Sequence, residues 1–106
     1  MIKNANECKN AMLQAYCAIL NKDREDGWVW SVQGILDEME HPRLMDLDDG
    51  GYSLAYALDF EFDQCPVSLH GYFKRVQDSD WSLGLELEYL LWSADSGTFV
   101  LEIINK

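Results

Sequence analysis

The stretch SLAYALDFEFD, residues 53–63, decides the fold. Leu54, Tyr56, Leu58, Phe60 and Phe62 alternate with Ala55, Ala57, Asp59, Glu61 and Asp63. A side-chain period of two places the first set on a core and the second toward water, as in a half-buried strand. A second strand is expected over about 67–76, with Val67, Leu69 and Phe73 inward and Ser68, His70, Tyr72 and Lys74 outward. After QDSD a third follows over about 82–92, with Leu83, Leu85, Leu87, Tyr89 and Leu91 inward and Glu86 and Glu88 outward. After ADSG a fourth runs over about 98–104. Successive strands with short connections make an antiparallel meander, with helices covering one face.

Upstream of the strands the period changes. Ala5, Cys8, Met12, Ala15, Tyr16 and Ile19 fall on one helical stripe, widened by Leu13 and Leu20, which predicts a helix over 4–21 capped by Asn4 or Asn6. In WVWSVQGILDEMEHP, residues 28–42, Val32, Ile35, Leu36 and Met39 repeat at helical spacing and predict a second helix over about 30–40, ended by Pro42. Trp28, Trp30 and Val32 alternate, so a short strand at 28–33 is the competing reading. The expected fold is thus a single α+β domain over residues 1–106, an N-terminal helix and a short second helix on a four-stranded antiparallel meander.

Charge narrows the partner. Eight Lys and Arg against nineteen Asp and Glu leave a net charge of −11. From Glu25 to Phe73 there are eleven acids and one base, Arg43, and from Val76 to Asn105 six acids and no base. Such a field repels nucleic acid and anionic lipid and draws in basic proteins. The three cysteines, Cys8, Cys17 and Cys65, have no metal-ligand spacing. On a helix Cys8 and Cys17 would lie on opposite sides, about 13 Å apart along the axis, too far to bridge. The start MIKNANECKN has no apolar segment typical of a leader, and no apolar run reaches the length of a membrane span, so the expected compartment is a reducing cytoplasm.

The candidate chemistries each fail on a residue. MDLDDGGYSLAYALD, residues 45–59, places Asp46, Asp48 and Gly51 at the first, third and sixth positions of a calcium loop. Gly50 stands at the fifth, however, and Ala57 where a bidentate Glu is needed. Asp49-Gly50-Gly51 reads better as a turn into the strand. Glu86 and Glu88 would sit about 6.8 Å apart on one strand face, a spacing that glycoside hydrolysis can use and that any exposed strand face also produces. Cys65 and His70 have no neighbouring cation or helix N-terminus to activate the thiol, and two histidines with no His/Cys cluster make zinc unexpected. No catalytic residue, cofactor or metal is expected.

The outward acids remain. Asp59, Glu61 and Asp63 on the first strand, Glu86 and Glu88 on the third, and Glu102 on the last would form a carboxylate wall, which costs stability unless a partner uses it. Tyr16, Phe60, Phe62, Phe73 and Tyr89 fall at core positions, whereas Trp28, Trp30, Tyr52, Tyr72, Trp81 and Trp92 fall at element ends or outward, where aromatic residues anchor interfaces. The expected binding residues are Asp46, Asp48 and Asp49 in the loop, Asp59, Glu61, Asp63, Glu86 and Glu88 on the wall, and Tyr72 and Trp81 as anchors.

In size, acidity and aromatic content the chain resembles the small acidic immunity proteins of bacterial polymorphic and contact-dependent toxin systems. The resemblance is of whole-chain character and rests on no motif. It implies a monomeric or weakly dimeric inhibitor, not an enzyme, that neutralises one basic, nuclease-type toxin. The alternatives are a phage-type anti-defence protein that mimics nucleic acid, which needs acids along a long ridge, and a small ligand-binding or enzymatic domain, which needs a deep apolar pocket with convergent polar groups.

Overall fold

The apolar stripe near the N-terminus forms helix α1 (Ala5–Asn21) in the computed structural model, which describes residues 4–22, 27, 29–47, 54–77, 83–94 and 98–103. The Asn4 side chain caps it by accepting the Glu7 N–H at 2.9 Å, a contact that contributes about 1 kcal/mol. Cys8, Met12, Leu13, Ala15, Tyr16 and Cys17 are buried, while Asn10 and Gln14 face water. At the far end the Asn21 side-chain amide clamps the returning chain. It donates to the Trp30 carbonyl at 2.9 Å and accepts the Trp30 N–H at 2.7 Å, and the Cys17 thiol donates to the same carbonyl at 3.0 Å.

Helix α2 (Val32–Glu38) is shorter at both ends than its apolar pattern predicts. Ser31 caps it through the Gly34 N–H at 3.0 Å, and Ile35 reaches the core. Residues 29–31 form no strand. Met39–Leu47 then forms strand β1 instead of the end of a helix, with Pro42 inside it. A proline is accommodated there because β1 is an edge strand and its register shifts between Glu40 and Arg43, so no ladder donor is lost.

The sheet therefore has five strands, not four: β1, β2 (Leu54–Phe62), β3 (Cys65–Gln77), β4 (Leu83–Ala94) and β5 (Thr98–Ile103), in sequence order and antiparallel throughout. The fold is α+β, and α1 packs across β2, β3 and β4. β2 and β3 are joined at Asp63 and Gln64, both at positive φ (55° and 66°), as a two-residue hairpin turn requires. Cys65, two residues before the expected start of the second strand, is the first residue of β3 and pairs with Phe62.

On the helix side, Tyr56, Leu58 and Phe60 are buried and Leu54 and Phe62 pack against them, as the alternation predicts. Tyr16 stands edge-on to Phe60, Phe62 and Trp92, with centroids 5.8, 6.3 and 6.1 Å away, and Trp30 meets Phe62 at 5.0 Å. Gly71 lets the helix approach: a Cβ there would lie 2.7 Å from Met12 Cγ.

β4 departs from its expected alternation. Tyr72 pairs with Tyr89 but Phe73 pairs with Leu87, leaving Glu88 as an extra residue. The bulge reverses the phase. Leu85 and Leu87 face the helices before it, and Leu90 and Trp92 do so after it. Tyr89 and Leu91, expected inward, lie on the opposite face.

Candidate functional site

The strand registers place on the face away from the helices a series of cross-strand rows. At one end Glu40 stands opposite Glu61, beside Pro66. Next comes a polar row of Arg43, Asp59, Ser68 and Ser93. Two largely apolar rows follow, Met45, Ala57, Leu91 and Leu101 with His70 among them, then Leu47, Ala55, Tyr72 and Tyr89. Lys74 opposite Glu86 follows toward the other end, with Val76 opposite Gly84 beyond it.

This arrangement replaces the expected carboxylate wall. Asp59 and Glu61 do lie on the outward face, with Glu40 beside them. Ser68 and Lys74 are six residues apart on β3, so the row of Glu86 lies about 20 Å from that of Asp59. Glu86 faces a lysine rather than another acid, and Glu88 is the bulged residue. Asp63 is in the turn. Asp46 pairs with Tyr56 on the helix side of the edge strand. Its charge is the third cause, after burial and Cys8, of a Tyr56 hydroxyl pushed above its ordinary range. Glu102 is also on the helix side, where Lys22 reaches it at 3.9 Å. Asp48, Asp49 and Trp81 lie outside the described residues, as do Trp28 and Tyr52.

The aromatic anchors are redistributed as well. Trp30 and Trp92 pack against Phe62 and Tyr16 on the helix side instead of projecting outward. Tyr72 holds its expected outward face but is only 9% exposed, because Tyr89 leans on it with centroids 5.5 Å apart. Sequence reasoning missed Tyr89, Leu91 and Leu101 as surface residues, and Leu101 is 53% exposed. One extra residue at Glu88 is sufficient to move the first two from one face to the other.

Between the acidic end and the apolar rows lies a depression of about 460 Å³ lined by His41, Arg43, Asp59, Glu61, Ser68 and Ser93, among others. The Ser68 hydroxyl donates to Asp59 at 2.6 Å, a short charge-assisted bond that fixes the carboxylate while leaving it free to accept further. The recess thus combines two carboxylates, Asp59 and Glu61, with the guanidinium of Arg43. On the helix side, burial and the neighbouring Glu7 push the Cys8 thiol up to about 11, and burial pushes the Tyr16 hydroxyl up to about 12. Both groups are neutral at physiological pH, and neither is an activated nucleophile.

The segments flanking the calcium-like loop are strands, β1 and β2, where an EF-hand has helices. Asp46 and Ala57, its first and twelfth positions, lie in those strands, and residues 48–53 between them lie outside the described residues. No helix among the described residues is long and apolar enough to cross a membrane. Comparison with protein-family models, with curated proteins and with solved structures finds no match to this chain.

Proposed function

We propose that the helix-free face of the sheet is a docking surface for a basic protein, and that the chain acts as an inhibitor of the immunity-protein kind, neutralising a cationic, nuclease-type toxin. The observation that carries this reading is the segregation of the face. Apolar rows centred on Tyr72, Tyr89, Leu91 and Leu101 run across its middle, with Glu40, Asp59 and Glu61 around Arg43 at one end and Glu86 opposite Lys74 toward the other. A desolvated apolar centre with a polar rim is the common anatomy of a protein interface, and aromatic side chains supply much of its energy. The net charge of −11 favours a basic partner and opposes self-association. The depression at Asp59 offers a recess for one Lys or Arg side chain of that partner.

A nucleic-acid mimic fits less well. It needs phosphate-like charges along a continuous ridge, whereas the apolar rows interrupt the acids.

The reading is tested by co-expressing the chain with candidate basic nucleases from its own source and measuring nuclease activity. Inhibition that is lost in Leu101→Asp supports it. Inhibition unaffected by substitutions on this face, or none against any such partner, opposes it.

A further inference from the structure

The geometry points to a binding site for a divalent transition-metal ion of the zinc class at Glu40, His41 and Glu61. Each of the three residues presents one ligand atom, and these atoms lie within 4.8 Å of one another. Around an ion bonded at about 2.1 Å, ligand atoms stand roughly 3 to 4 Å apart, so rotation of exposed side chains closes the set. Glu40 and Glu61 face each other directly across β1 and β2.

The imidazole arrives by a backbone irregularity. In a regular strand His41 would point to the face opposite Glu40. The register instead shifts between Glu40 and Arg43, and His41 adopts φ 55°, which turns consecutive residues toward one place. Two carboxylates directly opposite each other oppose folding. Neither Glu40 nor Glu61 forms an ion pair with a described residue. A bound cation supplies the missing neutralisation.

Chemistry selects the ion. One imidazole nitrogen with two carboxylate oxygens suits Zn²⁺ and its neighbours, whereas Ca²⁺ and Mg²⁺ prefer all-oxygen shells. Three protein ligands leave coordination positions for water, on the side where His41 and Glu61 also line the depression. The site was not legible in the sequence, since adjacent strand residues are ordinarily assigned to opposite faces. It does not depend on the partner-binding reading.

The test uses tag-free protein titrated with Zn²⁺ by calorimetry, and with Co²⁺ followed by visible absorption and by NMR line broadening. The expected result is one ion per chain, with broadening centred on residues 40, 41 and 61. Affinity should fall at least tenfold in Glu61→Gln and in His41→Asn, the latter chosen because Asn tolerates the left-handed backbone. His70→Gln, which alters the other histidine, should bind as the parent does, and millimolar Ca²⁺ or Mg²⁺ should not displace the ion. Circular dichroism checks that each variant is folded. If millimolar Zn²⁺ does not bind, or if binding is equal in parent, Glu61→Gln and His41→Asn, the assignment is wrong.

Discussion

Tyr72 and Tyr89 stand directly opposite each other on β3 and β4, on the face the helices leave uncovered, with ring centroids 5.5 Å apart. The pair exists because Glu88 is an extra residue in β4. Tyr89→Ala removes one ring and uncovers the other. The expected cost is about 1–2 kcal/mol of unfolding free energy in urea, the sum of a cross-strand aromatic contact and lost burial. Leu101→Ser, at a half-exposed position on β5, should stay within about 0.5 kcal/mol of the parent. Equal losses for both would mean that the band is uniformly buried rather than graded from centre to edge.

Gly71→Ala should destabilise the fold by roughly 1–3 kcal/mol, because the new methyl meets Met12 Cγ at 2.7 Å and Phe73 Cε1 at 3.2 Å. Combining it with Met12→Ala should recover part of that loss, so the two changes will be non-additive in a double-mutant cycle. Simple additivity would place the helix elsewhere.

Glu61→Gln should raise stability by a few tenths to about 1 kcal/mol in metal-free, low-salt buffer, since Glu40 lies directly across from it. Salt should shrink the gain. Glu86→Gln, which removes the charge opposite Lys74, should give no gain. Identical responses at the two positions would contradict the segregated arrangement of acids.

Alkaline pH should weaken the fold. The Cys8 thiol moves from 9.0 to about 11 and the Tyr16 hydroxyl from 10.0 to about 12 on folding, so both contributions are fully present below pH 9. Above that, the unfolded chain loses these protons first and stability falls. The Cys8 share alone is two pH units at about 1.4 kcal/mol each, roughly 3 kcal/mol by pH 11. Urea denaturation at pH 8, 10 and 11 measures the slope. It should flatten between pH 9 and 11 in Cys8→Ala and at higher pH in Tyr16→Phe. Slopes parallel to the parent's would show that these groups are not the cause.

Much of the fold was legible because burial writes a period into the chain. The alternation from Leu54 to Phe62 and the stripe from Ala5 to Ile19 each have one face on the core as read, but Ala55 and Ala57, expected toward water, are buried as well on the opposite face. β1 was not legible. Glu40, His41, Pro42 and Arg43 are all exposed, so an edge strand with a bulge leaves no alternation to find. The outward face was half legible: Asp59 and Glu61 follow from the period of β2, but Tyr89 and Leu91 lie beyond a bulge that shifts the period by one residue. Glu102 was misplaced because β5 inherits its phase from β4.

The docking face is tested most directly by quantitative co-purification from the cells in which the chain is native. Three tagged forms are compared: the parent, Leu101→Asp on the outward face, and Gln14→Ala on the solvent side of α1. The parent and Gln14→Ala should retain the same stoichiometric basic protein, and Leu101→Asp should lose at least nine-tenths of it, about 1.4 kcal/mol or more of binding free energy. Full retention by Leu101→Asp, or loss in Gln14→Ala with Leu101→Asp unaffected, would contradict docking on this face.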